Sequence, residues 1–341
     1  MSSAFRYWLA LHPDIRRPVG GVKQMHRLAE AISASGRFSC IIQQDKDFHP
    51  SWFRSSVKTI SLKDWCNTVL PSVDVTREIL VLPETYLPQF SSYAPGLKRI
   101  IFNQNGSYTF GFSTASPKLT PAEVVSSYKH DDLLHVWVVS SHDKALLSSG
   151  MGLGDDFVTV IPNCIDPSMF SPDEVKGKYI SFMPRKNSND SSIVIQLLSC
   201  QPWFSDWKLL PISNLPQTEV ASILKKSFFF LSFGHPEGFG LPVAEAMSSG
   251  CSVVGYSGLG GRELFSTSNC PSYVTSVNVE YGDWNGFVIG LKKLIELLSS
   301  DPAGYLSALK KHSKLISSCY SFERMIAVVS GSLDRIESAM N

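Results

Sequence analysis

The chain has 341 residues, 43% of them hydrophobic and 18% charged, with a formal net charge of +1 at pH 7. That balance excludes an intrinsically disordered chain and argues against a bulk polyanion such as nucleic acid as partner. Domains usually run to about 100–200 residues, so the length predicts two units with a cleft between them.

The first residues, MSSAFRYWLALHPDIRR, contain an apolar run too short for a secretory core or a membrane span and interrupted by Arg6. It reads as a first buried strand. Short apolar runs then alternate with helix-period stretches, the rhythm of repeated strand–helix units in parallel sheets. Strands are predicted at residues 7–11, 40–43, 79–82, 99–102, 135–139 and 158–161. Helices are predicted at 22–34, within 122–129, and at 143–149, the last closing on Gly150 as a C-cap. A Ser-, Thr- and Pro-rich mobile loop is expected at 107–121.

Next comes IPNCIDPSMFSPDEVKGK, in which Pro162, Pro167, Pro172 and Gly177 break any long element. It reads as a linker. Beyond it, strands are predicted at 179–183, 208–210, 228–231 and 252–254, helices at 191–200, 217–225 and 242–249, and two or three amphipathic helices from Asn285 onward. The seven cysteines are scattered, odd in number and without C-x-x-C spacing, which fits a reducing compartment. With no segment of transmembrane length, a cytoplasmic protein is expected, its membrane contact at most peripheral at the inner face.

The chemistry concentrates in SFFFLSFGHPEGFGLPVAEAMSSG, a strand, a Gly- and Pro-rich turn and a helix with Pro242 near its start and Gly250 past its end. A loop at the carboxyl end of a parallel strand faces the crevice where open α/β sheets bind ligands, and a helix start offers free N–H groups to phosphate. Glu237 lies in the loop and Glu245 one turn into the helix, so each can grip a different diol of one ligand. Taken singly, they also fit a capping Glu and a surface Glu.

Glu237 and Glu245, with seven residues between them in EGFGLPVAEAMSSGCSVV, resemble the E-x7-E motif of retaining GT-B glycosyltransferases, particularly glycosyltransferase family 4. The resemblance implies an α/β fold of two doubly wound Rossmann-like domains facing across a cleft. Residues 1–165 would form the acceptor domain, 166–320 the nucleotide-sugar domain, and 321–341 a helix crossing back to the first. By position, Glu237 would contact the donor sugar, and Glu245 would hold the ribose. The loop of Gly238, Phe239, Gly240 and Leu241 would lie beside the sugar and diphosphate. Gly20 and Gly21, in PVGGVKQMHRLAEAI, resemble the family's N-terminal glycine loop at the donor.

Arg185 and Lys186 follow the strand KYISFMP, near where the family places an Arg and, several residues later, a Lys to stabilise the departing diphosphate. Here they are adjacent; Arg185 is the favoured phosphate contact, and Lys186 is left as either a second one or a solvated charge. VIPNCIDPSMF resembles the family's interdomain segment, with Cys164 where Gly is customary and a left-handed backbone would be strained. SGLGGREL makes Gly260, Gly261 and Glu263 weaker candidates, a plain glycine turn being the other reading. Where many members carry a His, this chain has IIFNQNGSY; Asn103, Gln104 and Asn105 can hydrogen-bond but not transfer protons near neutral pH. They and Glu84, at a strand end in VLPETY, are read as acceptor or sugar contacts, with a surface-loop carboxylate as the alternative for Glu84. His12, His142 and His235 lie in turns, and His12 and His235 flank motif loops.

The one D-x-D spacing, Asp45-Lys46-Asp47, lacks strand context, so no metal and no other cofactor is expected. Gly20-Gly21 alone falls short of the G-x-G-x-x-G of a Rossmann oxidoreductase. The implied reaction is metal-independent, retaining transfer of a hexosyl or deoxyhexosyl group. The donor would be a nucleotide-diphosphate sugar and the acceptor a glycan, lipid-linked or other hydroxyl group, as in polysaccharide biosynthesis. Arg6, Arg16, Arg17, Lys23 and Arg27 suit an anionic lipid or are scattered surface charges. The altered Arg–Lys spacing and the missing His leave open a catalytically inactive nucleotide-sugar sensor or assembly protein with the same fold.

Overall fold

The computed structural model describes residues 5–11, 14–89, 92, 94–111, 119–172, 175–266, 269, 270 and 273–341. His12 and residues 112–118 of the expected mobile loop lie outside them. The chain forms two compact units, Met1–Cys164 with Phe322–Asn341, and Ile165–Ser321.

The first unit is built on seven strands: β1 (Arg6–Ala10), β2 (Phe38–Gln43), β3 (Thr59–Ser61), β4 (Glu78–Pro83), β5 (Lys98–Asn103), β6 (Leu133–Val138) and β7 (Val158–Val160). They pair in parallel in the order β3-β2-β1-β4-β5-β6-β7. Every residue of β4 is buried, as are four of the five in β1. Strands covered on both faces read as continuous apolar runs, which is why the central ones were visible as such. Chain order leaves β1 toward β2 on one side and resumes at β4 on the other. The carboxyl ends of β1 and β4 therefore flank a topological switch point, where loops part and leave a crevice.

The edge strand β3 has no counterpart among the predicted elements, because three residues, TIS, are too few to show a period. The helix expected at 143–149 begins at Ser141, and from Leu146 to Gly150 it is wound as a π-helix. Gly150 therefore ends that turn instead of capping it, and the left-handed glycines are Gly152 and Gly154. Cys164 does not take a left-handed backbone, so the substitution of Cys for Gly there carries no strain.

The Phe322–Met340 helix docks onto this unit through a polar seam. The Arg37 guanidinium donates to both carboxylate oxygens of Glu337 at 3.1 Å and to Asp334 and Ser330, while Tyr7 Oη donates to Glu337 Oε1 at 2.7 Å. Trp137 Nε1 donates to Ser332 Oγ at 2.8 Å, with Met325, Val329, Leu333 and Ile336 buried on the same helix.

The second unit carries β8 (Gly177–Phe182), β9 (Lys208–Pro211), β10 (Ser227–Ser232), β11 (Ser252–Gly255), the short hairpin β12 (Asn269–Cys270) and β13 (Tyr273–Val274), and β14 (Ser276–Asn278). Its main sheet is parallel, ordered β14-β11-β10-β8-β9. The chain runs from β8 out to β9 and returns past β8 to β10, so the switch point lies between β8 and β10. Lys176 fastens the far end of this unit. Its ammonium donates to the carbonyls of Lys225, Ser227 and Ser249 at 2.9, 2.8 and 2.9 Å, holding the C-terminal ends of the Gln217–Lys226 and Leu241–Ser248 helices.

Arg37 and Glu337 are only 14% and 17% exposed, so removing one leaves the other charge poorly solvated. Glu337→Ala is expected to cost about 2–4 kcal/mol of unfolding free energy in denaturant titrations. A double-mutant cycle with Arg37→Ala should return a coupling of about 1 kcal/mol or more; additive losses would contradict the seam.

Candidate active site

At the β8–β10 switch point a pocket opens between two loops. One follows β8 and supplies Met183, Arg185 and Lys186; the other follows β10 and supplies Gly234, Glu237 and Gly240. Lys186 Nζ stands 2.8 Å from Glu237 Oε1, with both side chains about a quarter exposed, at 29% and 22%. The same ammonium donates to the Pro236 carbonyl at 3.4 Å. Lys186 is thus bound to Glu237, which corrects the reading of it as a solvated charge. Arg185 is exposed and lines the same pocket, leaving its guanidinium available to an anion.

A third loop, following β11, holds the backbone of Glu237. Glu237 N–H donates to Gly258 O at 2.7 Å, and Gly260 N–H donates to Glu237 O at 3.1 Å. The approach is so close that a Cβ on Gly260 would lie 1.9 Å from Gly238 O, which fixes that position as glycine. Gly240, with φ of 88°, is the left-handed N-cap of the Leu241–Ser248 helix, a conformation that turns the chain from loop to helix. Gly261 sits in the same β11 loop, whereas Glu263 accepts from Tyr320 Oη at 2.9 Å and so anchors that tyrosine.

The other residues of the motif divide between surface and interior. Phe239 is buried, with its ring edge-on to Tyr320 at 4.8 Å, so only its backbone is placed to meet a ligand. Gly238 is buried and Leu241 partly so. Glu245 is 6% exposed and is not among the residues lining this pocket. His235 stacks on Tyr281 with ring centroids 4.1 Å apart. Burial and the nearby Arg262 and Lys186 cations hold its imidazole below the ordinary histidine range.

The first unit gathers a separate polar group at its own switch point. Gly20 and Gly21 open the Gly20–Ala34 helix, whose N-cap Val19 offers no side-chain bond to the free N–H groups. Gln104 Nε2 donates to Gly21 O at 3.2 Å, and Gln104 N–H donates to Glu84 Oε2 at 3.0 Å. Asn103 is fully buried and donates through Nδ2 to Thr109 Oγ1 and Tyr128 Oη at 2.7 and 2.6 Å. Asn105 is also buried, and its side chain accepts from Ser107 N–H at 3.1 Å as a helix cap. Asn103 and Asn105 therefore shape this loop from within, leaving Gln104 and Glu84 beside the glycine turn. His142 falls in the Ser141–Ala145 helix, away from both groups in sequence.

Two contributors escaped the sequence reading. Asn187, with φ of 52°, donates from its amide to the carbonyls of Phe233 and His235. Tyr256, lining the pocket, donates to Asp190 Oδ2 at 2.8 Å. Both act across loops far apart in sequence; an Asn after a strand or a Tyr after a Gly carries no periodic signal.

No family model matches the chain. An alpha-1,6-glucosyltransferase of Actinobacillus pleuropneumoniae serotype 7 (strain AP76) is 29% identical over 190 residues, 54% of this chain and 54% of that protein. The match thus spans about half the length of that curated relative. Among solved structures, HepE of Anabaena in complex with UDP superposes with a TM-score of 0.67 at 13% identity, covering 97% of this chain and 100% of that one. Sucrose-phosphate synthase of Thermosynechococcus elongatus gives 0.65 at 14%, covering 98% and 100%. The fold is GT-B. WaaG, a glycosyltransferase involved in lipopolysaccharide biosynthesis, shares it at 0.64 and 12% identity, covering 95% and 100%. In this GT-B chain both α/β units are parallel-sheet domains, of seven and five strands. Among the described residues, no helix is long and apolar enough to cross a membrane.

Burial pushes the Glu84 carboxyl from its ordinary 4.5 up to about 7, against the pull of the Gln104 N–H. As pH rises between those values, the unfolded chain ionises first and native stability falls, by about 1.4 kcal/mol per unit. Glu84→Gln removes that penalty. It should stabilise the protein by about 2–3 kcal/mol at pH 8 and by nearly nothing at pH 4.5 in denaturant unfolding. An effect independent of pH would overturn the assignment.

Proposed function

We propose that the protein is a retaining glycosyltransferase that moves a sugar from a nucleotide-diphosphate sugar to a hydroxyl acceptor. The observation that carries this reading is Glu237, held by backbone bonds from one side and by Lys186 at 2.8 Å from the other, in a pocket with Arg185 at the sheet's switch point. A carboxylate beside two cations suits a ligand that presents hydroxyls on one part and phosphates on another. As the glycosidic bond breaks, negative charge develops on the diphosphate, and cations already in place stabilise it without reorganising. Arg185 and Lys186 are assigned to that task, Glu237 to orienting the sugar, and the Gly238–Leu241 backbone to the sugar and phosphates. Glu245 is assigned to the ribose diol. Gly20 and Gly21 are assigned to the donor, and Gln104 and Glu84 to sugar or acceptor hydroxyls.

The relatives support the donor class. HepE has been solved with UDP, with UDP and glucose, and with UDP-glucose. TarM of S. aureus, with a TM-score of 0.56, was solved with UDP, Fondaparinux and alpha-GlcNAc-glycerol, which favours a glycan or glycan-like acceptor. No metal is assigned a role, and the acceptor is assigned only as a hydroxyl on a glycan or lipid-linked glycan.

The test is transfer and hydrolysis assayed with UDP-, GDP- and ADP-sugars, with anomeric configuration followed by NMR. Glu237→Ala is expected to lose turnover by about 100-fold or more while binding the nucleoside diphosphate nearly normally. Glu245→Ala should instead weaken nucleotide binding by about 1–3 kcal/mol. Near-wild-type kinetics in both variants would sink the site assignment, and nucleotide binding without transfer would favour the sensor reading.

A further inference from the structure

We propose that Asn187 is a positioning residue for Glu237, acting as a clamp that sets the shape of the loop carrying it; this rests on the glycosyltransferase reading. Asn187 immediately precedes the Ser188–Ser199 helix and takes φ 52°, ψ 52°. An Asn at this position ordinarily turns its side-chain oxygen onto the helix's own free N–H groups. Here the side chain makes no such cap. It reaches the loop after β10, where Nδ2 donates to Phe233 O at 2.7 Å and to His235 O at 3.0 Å. Both hydrogens of the amide are committed to one loop, and the residue takes a left-handed conformation that asparagine adopts more readily than other side chains except glycine.

Those two carbonyls flank Gly234, and Gly234 is the residue that meets the carboxylate. A Cβ there would lie 2.8 Å from Glu237 Oε1. The next carbonyl, that of Pro236, accepts from Lys186, the neighbour of Asn187. A two-residue turn thus grips the loop at three carbonyls and the carboxylate itself. Lys186 binds the group proposed to meet the sugar. Asn187 touches only backbone, so its influence on chemistry passes through the position of Glu237. Shifts of about 1 Å in such a group can cost about 100-fold in rate.

Asn187→Gly isolates this role, because glycine accepts the left-handed backbone without strain and removes only the amide. The variant should melt within a few degrees of wild type and bind UDP within about threefold, while turnover of the best sugar donor falls about 10- to 100-fold. In hydrogen exchange, the amides of Glu237 and Gly260, which bond Gly258 O and Glu237 O, should lose protection, with the core of the second unit unchanged. Asn187→Asp, which sets a carboxylate oxygen against the two carbonyls, should be worse than Asn187→Gly in turnover. Wild-type turnover in Asn187→Gly, or unchanged exchange at those amides, overturns the clamp. If the wild-type protein transfers no sugar at all, the functional reading falls, and the exchange experiment alone decides whether Asn187 sets the loop.

Discussion

The ion pair of Lys186 with Glu237 is the contact around which the second unit's pocket is arranged. As a source of stability it is minor, since partly exposed pairs contribute about 0–1 kcal/mol. Its significance is positional. Parallel strands deliver every loop that follows a strand to the same edge of the sheet, and at a switch point the two neighbouring loops diverge and leave room. Lys186 comes from the loop after β8 and Glu237 from the loop after β10, so the pair spans that gap. The loop after β11 closes the third side through Glu237 N–H and O. A carboxylate paired with Lys186, on a backbone held by the loop after β11, has little freedom to reorganise when a ligand arrives.

Glu84 shows what the same functional group becomes without that surrounding. It lies at the corresponding switch point of the first unit, but its surroundings are burial and backbone N–H groups, and its proton is held up to about 7. A neutral carboxylic acid both donates and accepts, whereas a carboxylate only accepts. The two units therefore present glutamates in different surroundings at equivalent places in their sheets. For the proposed reaction, Glu84 beside Gln104 and the Gly20–Gly21 turn is chemically suited to hydroxyl groups. Glu237 beside two cations is suited to the polar donor.

The sheets were legible because central parallel strands are buried on both faces and stand out as unbroken apolar runs, as FFFL in β10 does. β3 (TIS) and β14 (SVN) each carry one apolar residue between polar ones and so show no apolar run, and the π winding at Leu146–Gly150 has no counterpart in the helical pattern. Within the site, Glu237 was readable from the Gly- and Pro-rich turn around it. The bond of Lys186 to Glu237 leaves no mark in the sequence, because the two lie far apart along the chain. Asn187 was passed over for a related reason: its bonds run to backbone carbonyls, which every residue possesses, so no residue type marks the partner. Phe239 looked like part of the ligand loop because the motif includes it, yet its ring is directed at Tyr320 and the interior.

The interior use of Asn103 and Asn105 bears on mechanism. Asn103 spends its amide on Thr109 and Tyr128, and Asn105 caps the next short helix, so neither side chain is placed to exchange protons with a substrate. Gln104, between them, has no titratable group. Burial and neighbouring cations lower the His235 imidazole from its ordinary range, and its ring is stacked on Tyr281. Under the proposed reaction, the barrier is then lowered mainly where charge appears, on the departing diphosphate. A leaving group that is already anionic and met by cations needs no proton to depart. An acceptor hydroxyl can pass its proton to that same phosphate as it leaves. Arg185, exposed at the pocket while Lys186 is held by Glu237, is on this argument the cation free to follow the phosphate.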